Sequence, residues 1–185
     1  MTEYIAHVSE DKSRLHLIED HLTGVADLAA VMAAEFGASE WAYLAGLWHD
    51  LGKYSHEFQS MIRSSIGSDA STETKSGRVD HSTAGGIHAV DSFGGLGRVF
   101  AYIIAGHHAG LPDWQCEVAR NKALAERLKK RDLLGGFPID GIPESFSLRR
   151  FRSGNYPQCG FCALDPHALL LSIDVGYSWN GITYE

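Results

Sequence analysis

Two short words of the sequence set adjacent polar side chains inside apolar surroundings. The first is Ala45-Gly-Leu-Trp-His49-Asp50-Leu-Gly-Lys53 and the second is Ile104-Ala-Gly-His107-His108-Ala-Gly110. Neutral imidazole and carboxylate both bind divalent metals. Burying His49 and Asp50 beside Trp48 and Leu51 without such a partner is costly. Neighbouring helical residues point about 100° apart, so a pair shares one direction only at a helix end or facing a pocket. Lys53 follows Asp50 by three residues and His49 by four, which puts it on their face. A lysine there can hold a phosphate or place a water. His21 precedes His49 by 28 residues, His81 follows Asp50 by 31, and His107 follows His81 by 26. One ligand set per helix hairpin is the spacing of a centre built between facing helices. A compact zinc finger is spaced quite differently.

The chain holds ten histidines in 185 residues. His21, His49 with Asp50, His81, and His107 with His108 form the ordered ligand series. His7, His16, His56, His88 and His167 read instead as core histidines bonded to backbone carbonyls. Three cysteines make no disulfide framework, and Cys159-Gly-Phe-Cys162 has no second pair to complete a zinc or redox motif. No Ser-His-Asp or Cys-His arrangement has supporting context, so a protein nucleophile is not expected.

The elements that must carry these residues read as helices. Leu15 to Phe36 has apolar residues at Leu22, Val25, Ala26, Ala29, Ala33 and Phe36, close to i, i+3, i+4, i+7 spacing. Gly37 is a plausible cap. Ser39 starts a second helix through Trp41, Leu44, Leu47 and Trp48, and Gly52 marks a break. His56 to Ile66 is a third amphipathic stretch, and the small polar residues 67–79 read as a loop. His81 opens a small-residue helix that Gly94 and Gly95 end. Leu96 to Ala105 is the next helix, and Val118 to Leu134 reads as helical and basic. From Gly135 onward Gly and Pro recur without clear periodicity. The expected fold is therefore an all-α bundle with the metal site among facing helices and an irregular C-terminal tail.

The length suits one domain of ordinary size. Hydrophobic residues at 44% and charged residues at 21% exclude a disordered chain, a collagen and a long coiled coil. No apolar run approaches the ~20 residues of a membrane span. The N-terminus lacks a basic n-region and an apolar h-region, so no signal peptide is expected and the compartment reads as cytoplasmic. Net charge is -7. Residues 1–110 hold seven Lys and Arg against fourteen Asp and Glu, whereas residues 111–185 are balanced at nine each. Basic residues cluster at Arg120, Lys122, Arg127, Lys129, Lys130 and Arg131, and again at Arg149, Arg150 and Arg152. The chain as a whole is too acidic for a strong free-standing nucleic-acid binder, although these segments offer a local guide for a phosphate backbone.

Five words, taken in order, resemble a known family. They are His21-Leu-Thr-Gly-Val-Ala26, Leu44-Ala-Gly-Leu-Trp-His-Asp-Leu-Gly-Lys53, Phe58-Gln59, Asp80-His-Ser-Thr-Ala-Gly85 and Ala105-Gly-His-His-Ala-Gly-Leu-Pro-Asp113. The chain resembles the HD superfamily of metal-dependent phosphohydrolases. More closely, it resembles the HD nuclease domain of the CRISPR-associated helicase-nuclease of type I interference, over about residues 5–134. The expected domain is residues 1–152, with a divergent segment 153–185 that completes it or trails from it.

The resemblance implies two metal positions. His21 and the His49–Asp50 pair help hold one, and Asp50 bridges to a second held by His81, His107 and His108. Lys53 matches a lysine that supports the phosphate or the nucleophile. The family's final aspartate falls on Asp174, in a tail that departs from the family pattern. The implied metals are two divalent transition ions (manganese, iron, nickel or cobalt), with magnesium also admissible. The implied activity is cleavage of single-stranded DNA displaced by a helicase subunit or domain, in concert with a CRISPR RNA-guided surveillance complex. The same ligands would serve a hydrolase of a nucleotide or small phosphate ester. The chain has no Gly-x4-Gly-Lys-Ser/Thr phosphate loop, so unwinding is expected of a partner chain or a further domain. Metal loading, and activity with it, is expected to fall below about pH 6, because a histidine must be neutral to bind metal.

Overall fold

The computed structural model describes residues 3–67, 79–118 and 122–131. Short strands β1 (Ile5–Val8) and β2 (Leu15–Leu17) pair antiparallel, with His7 opposite His16 and Val8 opposite Leu15. Helix α1 (Ile18–Ala33) follows directly, then a 3₁₀ turn at Ala34–Phe36. Gly37 closes that turn at φ 72°, a left-handed conformation that favours glycine. Helix α2 (Ser39–Trp48) leads through His49 and Asp50 into a second 3₁₀ turn, Leu51–Tyr54. Helices α3 (His56–Gly67), α4 (Ser82–Phe93), α5 (Gly97–Gly106) and the short α6 (Leu124–Arg127) complete the described chain.

The domain is all-α with one small hairpin added. That hairpin corrects the expected start of the first helix. Leu15 and Leu17 continue the apolar pattern of α1, but the chain stays extended there to pair with β1. The basic segment is a second correction. Only Leu124–Arg127 is helical in it among the described residues, and Val118 is 98% exposed and outside any helix. The segments 68–78, 119–121 and 132–185 lie outside the described residues. They include most of the expected loop, the boundary at residue 152, and Asp174, Cys159, Cys162, His167, Arg149, Arg150 and Arg152.

The main core lies between α1, α2 and α5, with Ala89 of α4 joining it. Leu22, Val25, Ala26 and Ala29 of α1 meet Ala42, Ala45 and Gly46 of α2. A side chain at Gly46 would come within 2.6 Å of the Ala26 Cα, so the two backbones run close together. Trp48 is fully buried against Phe93 and Phe100, at ring distances of 5.8 and 5.7 Å. This aromatic cluster fixes the C-terminal end of α2, where His49 and Asp50 emerge. A second cluster of Ile5, Phe58 and Ile62 ties the hairpin to α3. No helix among the described residues is long and apolar enough to cross a membrane.

Candidate metal centre

Both adjacent pairs sit where a helix stops. His49 closes α2 and His107 closes α5. The last carbonyls of a helix lack intrahelical donors. His49 Nδ1 donates to the Gly46 carbonyl at 2.7 Å and His107 Nδ1 to the Ile104 carbonyl at 2.6 Å, the same geometry twice. His81, just ahead of α4, donates Nδ1 to the Val79 carbonyl at 3.1 Å. A carbonyl oxygen carries no proton, so in each neutral ring the proton is on Nδ1 and Nε2 presents a lone pair. Metal-binding imidazoles are oriented in this way.

Asp50 is 0% exposed and stands where these nitrogens converge. Its Oδ2 is 2.8 Å from Lys53 Nζ, 3.1 Å from His21 Nε2 and 3.2 Å from His49 Nε2. Its Oδ1 is 3.4 Å from His107 Nε2 and 3.5 Å from His81 Nε2. His108 Nε2 lies 2.8 Å from His81 Nε2. The ligand atoms form two groups that share Asp50: Asp50, His81, His107 and His108, and His7, His21 and Asp50. Within each group the atoms lie within 4.8 Å of one another. His49 Nε2 stands beside the second group, 3.2 Å from His21 Nε2.

A divalent metal fits this donor set. Asp50 Oδ1 accepts no hydrogen bond among the described residues. The Nε2 atoms of His81 and His107, whose Nδ1 atoms are committed to backbone carbonyls, face it at 3.5 and 3.4 Å. Acceptors that converge on one buried point repel unless a cation lies among them. Imidazole nitrogen and carboxylate oxygen are the ligand types that such ions take.

The surrounding scaffold explains the convergence. Gly52 N donates to the His81 carbonyl at 3.0 Å, which docks the start of α4 on the turn after Asp50. Gln59 on α3 accepts from Ile5 N at 3.0 Å and donates to the Ile5 and Lys53 carbonyls at 2.9 and 2.8 Å. One buried amide therefore holds both β1 and the turn that carries Lys53. Asp80 caps α4 by accepting from Thr83 N and Oγ1 at 3.1 and 2.7 Å. Arg127 bonds Thr83, Ser82 and the Ala105 carbonyl at 2.8, 2.9 and 2.9 Å, clamping the start of α4 to the end of α5.

Seven of the eight expected site residues meet in one cluster: His21, His49, Asp50, Lys53, His81, His107 and His108. Asp174 lies outside the described residues. His7 corrects the core-histidine reading. It lies beside the cluster, with Nε2 3.0 Å from Lys53 Nζ. His16 faces His7 and His21. His88 sits edge-on to Trp48 at 4.9 Å, and His56 is exposed near Ser60. The basic segment is partly engaged within the fold. Arg127 is turned inward, Lys129 pairs with Glu126, and Arg131 pairs with Asp91.

Burial and the neighbouring Lys53 and His21 carry the His7 imidazole from 6.5 down to about 2. Burial likewise takes His21 to about 3, against the pull of Asp50. Burial and His107 take His108 to about 3, and burial lowers His81. Burial alone would raise Asp50, but His49, Lys53, His107 and His21 together hold it well below the usual carboxylate range. His7, His21 and His108 are thus neutral imidazoles well into the acid range, beside an Asp50 carboxylate that stays ionised there. At His7, His21 and His108 proton competition for a metal is weak at pH 6.

The stability consequence has a definite sign. Histidines with depressed folded pKa values bind protons in the unfolded chain first. Their contribution is complete above pH 6.5 and is lost progressively as the pH falls towards 3. Metal-free protein should lose about 1.4 kcal/mol per pH unit from the buried His21 between pH 6 and pH 5, with a smaller loss from the exposed His108. Urea midpoints at pH 7.5, 6 and 5 would measure it. Equal midpoints would show that the histidines are protonated in the fold.

The helix ends of this domain converge histidines on one buried aspartate, a cluster that could hold a metal ion. The family model described as HD domain matches residues 18–132, so the chain belongs to the HD domain family. HD domains are metal-dependent phosphohydrolases, and the His–Asp cluster is the part of this chain that can hold the metal. No curated protein matches the chain.

Proposed function

We propose that the domain is a metal-dependent nuclease that hydrolyses phosphodiester bonds of single-stranded DNA in type I CRISPR interference. The observation that carries this reading is the sharing of Asp50 between two ligand groups. Divalent ions held by Asp50 with His21 on one side and with His81, His107 and His108 on the other would supply Lewis acidity at phosphorus and would acidify a water for attack. The chain's own part is positioning. Asp50 offers Oδ2 to the His21 side and Oδ1 to the His81 and His107 side. Lys53, ion-paired to Oδ2, supports the phosphate or the attacking water from the same side. His49 and Asp50 are fully buried, His81 is half-buried and His108 is exposed, so substrate arrives over His108.

The five sequence words favour the nuclease substrate and its partners, a helicase subunit or domain and the RNA-guided complex, in the cytoplasm. The acidic balance of the chain agrees with a strand delivered by another protein. One observation favours a second reading, a nucleotide or small phosphate ester. Arg127 is turned into the fold, and Lys129 and Arg131 pair at the surface with Glu126 and Asp91, which lowers the positive charge this segment offers a phosphate backbone.

The test is cleavage of circular single-stranded DNA by metal-stripped full-length protein. Manganese, nickel, cobalt, iron, magnesium or zinc is added back, with a nucleotide panel in parallel and His49→Ala as control. Metal-dependent opening of the circle, lost in the control, is the expected result. Turnover of a nucleotide without cutting would move the assignment to the second reading. Full activity in His49→Ala would overturn both.

A further inference from the structure

The hairpin is the one part of the described fold that a helical bundle does not need, and it delivers a histidine to the centre. β1 is fixed from two sides. Gln59 holds the backbone N–H and carbonyl of Ile5, whose side chain is buried with Phe58 and Ile62. Ile18 N donates to the Tyr4 carbonyl at 2.9 Å, tying the strand to the start of α1. His7 then lies with its ring 4.7 Å from that of His21, nearly perpendicular to it. Its Nε2 is 3.0 Å from Lys53 Nζ, and Lys53 Nζ is 2.8 Å from Asp50 Oδ2. A lysine ammonium only donates, so His7 Nε2 is the acceptor and its single lone pair faces Lys53 Nζ, which a metal would have to displace. A ligand atom of His7 lies within 4.8 Å of ligand atoms of His21 and Asp50.

We propose that His7 is a ligand of the first metal position, together with His21 and Asp50. This rests on the two-position reading above and adds a ligand to it from outside the helices. The simpler alternative is that His7 only steadies Lys53. The two differ in what residue 7 must be. A glutamine can accept the Lys53 hydrogen bond but is a poor ligand for a transition metal, whereas a cysteine is a good one.

The test titrates metal-stripped full-length protein with cobalt(II), read by calorimetry and visible absorption. Wild type is expected to take two equivalents. His7→Gln should lose one of them, or bind it at least about tenfold more weakly. His16→Gln, on the same hairpin, should change neither. His7→Cys should restore binding and add a thiolate-to-cobalt charge-transfer band that is absent from wild type, whose own cysteines are Cys116, Cys159 and Cys162. Unchanged stoichiometry, affinity and spectrum in His7→Gln, or no such band in a folded His7→Cys, would overturn the proposal. A single equivalent in wild type would overturn the two-position reading instead. The cysteine band would still decide whether His7 holds that one ion.

Discussion

Asp50→Asn should abolish phosphoester hydrolysis, by at least about 10³-fold, and should also destabilise the metal-free domain by about 3–5 kcal/mol. The first effect follows from position. Asp50 is the residue common to both ligand groups, so neither survives its neutralisation intact. The second follows from burial. Asp50 is 0% and Lys53 3% exposed, with 2.8 Å between Oδ2 and Nζ. Removing the carboxylate strands a buried ammonium, which is the expensive way to break such a pair. The double variant Asp50→Asn, Lys53→Met removes that cation and should recover most of the stability with none of the activity. Turnover in metal-defined buffer and urea midpoints for the three proteins would separate the effects. Activity that persists in Asp50→Asn would end the assignment of this cluster as the reacting centre. Equal stability of wild type and the single variant would show that His7 suffices to hold Lys53.

The parts of the centre that were legible in the sequence are those written in local spacing. His49–Asp50 and His107–His108 follow apolar helical runs, and the structure puts both at helix ends, where the ring can reach back to a free carbonyl. His21 and His81 were legible because each opens or lies early in a recognisable helix. His7 was not. It sits in a four-residue strand whose pairing is irregular between Ile5 and His7, too short for alternation to be read. Its partner strand Leu15–Leu17 carries the same apolar spacing as the helix it precedes, so local pattern cannot separate the two. Arg127 misled for a related reason. A run of like charges reads as a solvated or substrate-facing surface, but the guanidinium spends its donors on Thr83, Ser82 and Ala105. Gln59 stood in a family word, Phe58-Gln59, but without a role, because a clamp made of backbone bonds is defined only once β1, α3 and the turn at Lys53 are together.

Gly52 shows how much of the site depends on a residue with no side chain. Its place in the sequence suggested a helix break, but its φ is not left-handed, and the constraint is closeness. A Cβ at Gly52 would lie 2.2 Å from the His81 carbonyl oxygen, 2.5 Å from its Cα and 2.6 Å from its carbonyl carbon. All three are backbone atoms and cannot rotate aside. Gly52→Ala must therefore push the start of α4 away and break the 3.0 Å bond from Gly52 N. His81 moves with it, away from Asp50 Oδ1 and His108 Nε2, which now lie 3.5 and 2.8 Å from its Nε2. The expected cost is about 3 kcal/mol in stability and about 10²-fold in turnover, the scale of a reacting group displaced by an ångström. Metal should be lost from the His81, His107 and His108 side first, and the His7 and His21 side should keep its ion. Gly24→Ala is the matched control. It lies on α1 with nothing within 4 Å of the added carbon, and should stabilise the helix by about 0.5–1 kcal/mol with activity intact. Metal content, midpoints and turnover measured on the two variants together would check this. If Gly52→Ala behaved like Gly24→Ala, α4 would not be docked on the turn after Asp50, and His81 would have to reach the centre by another route.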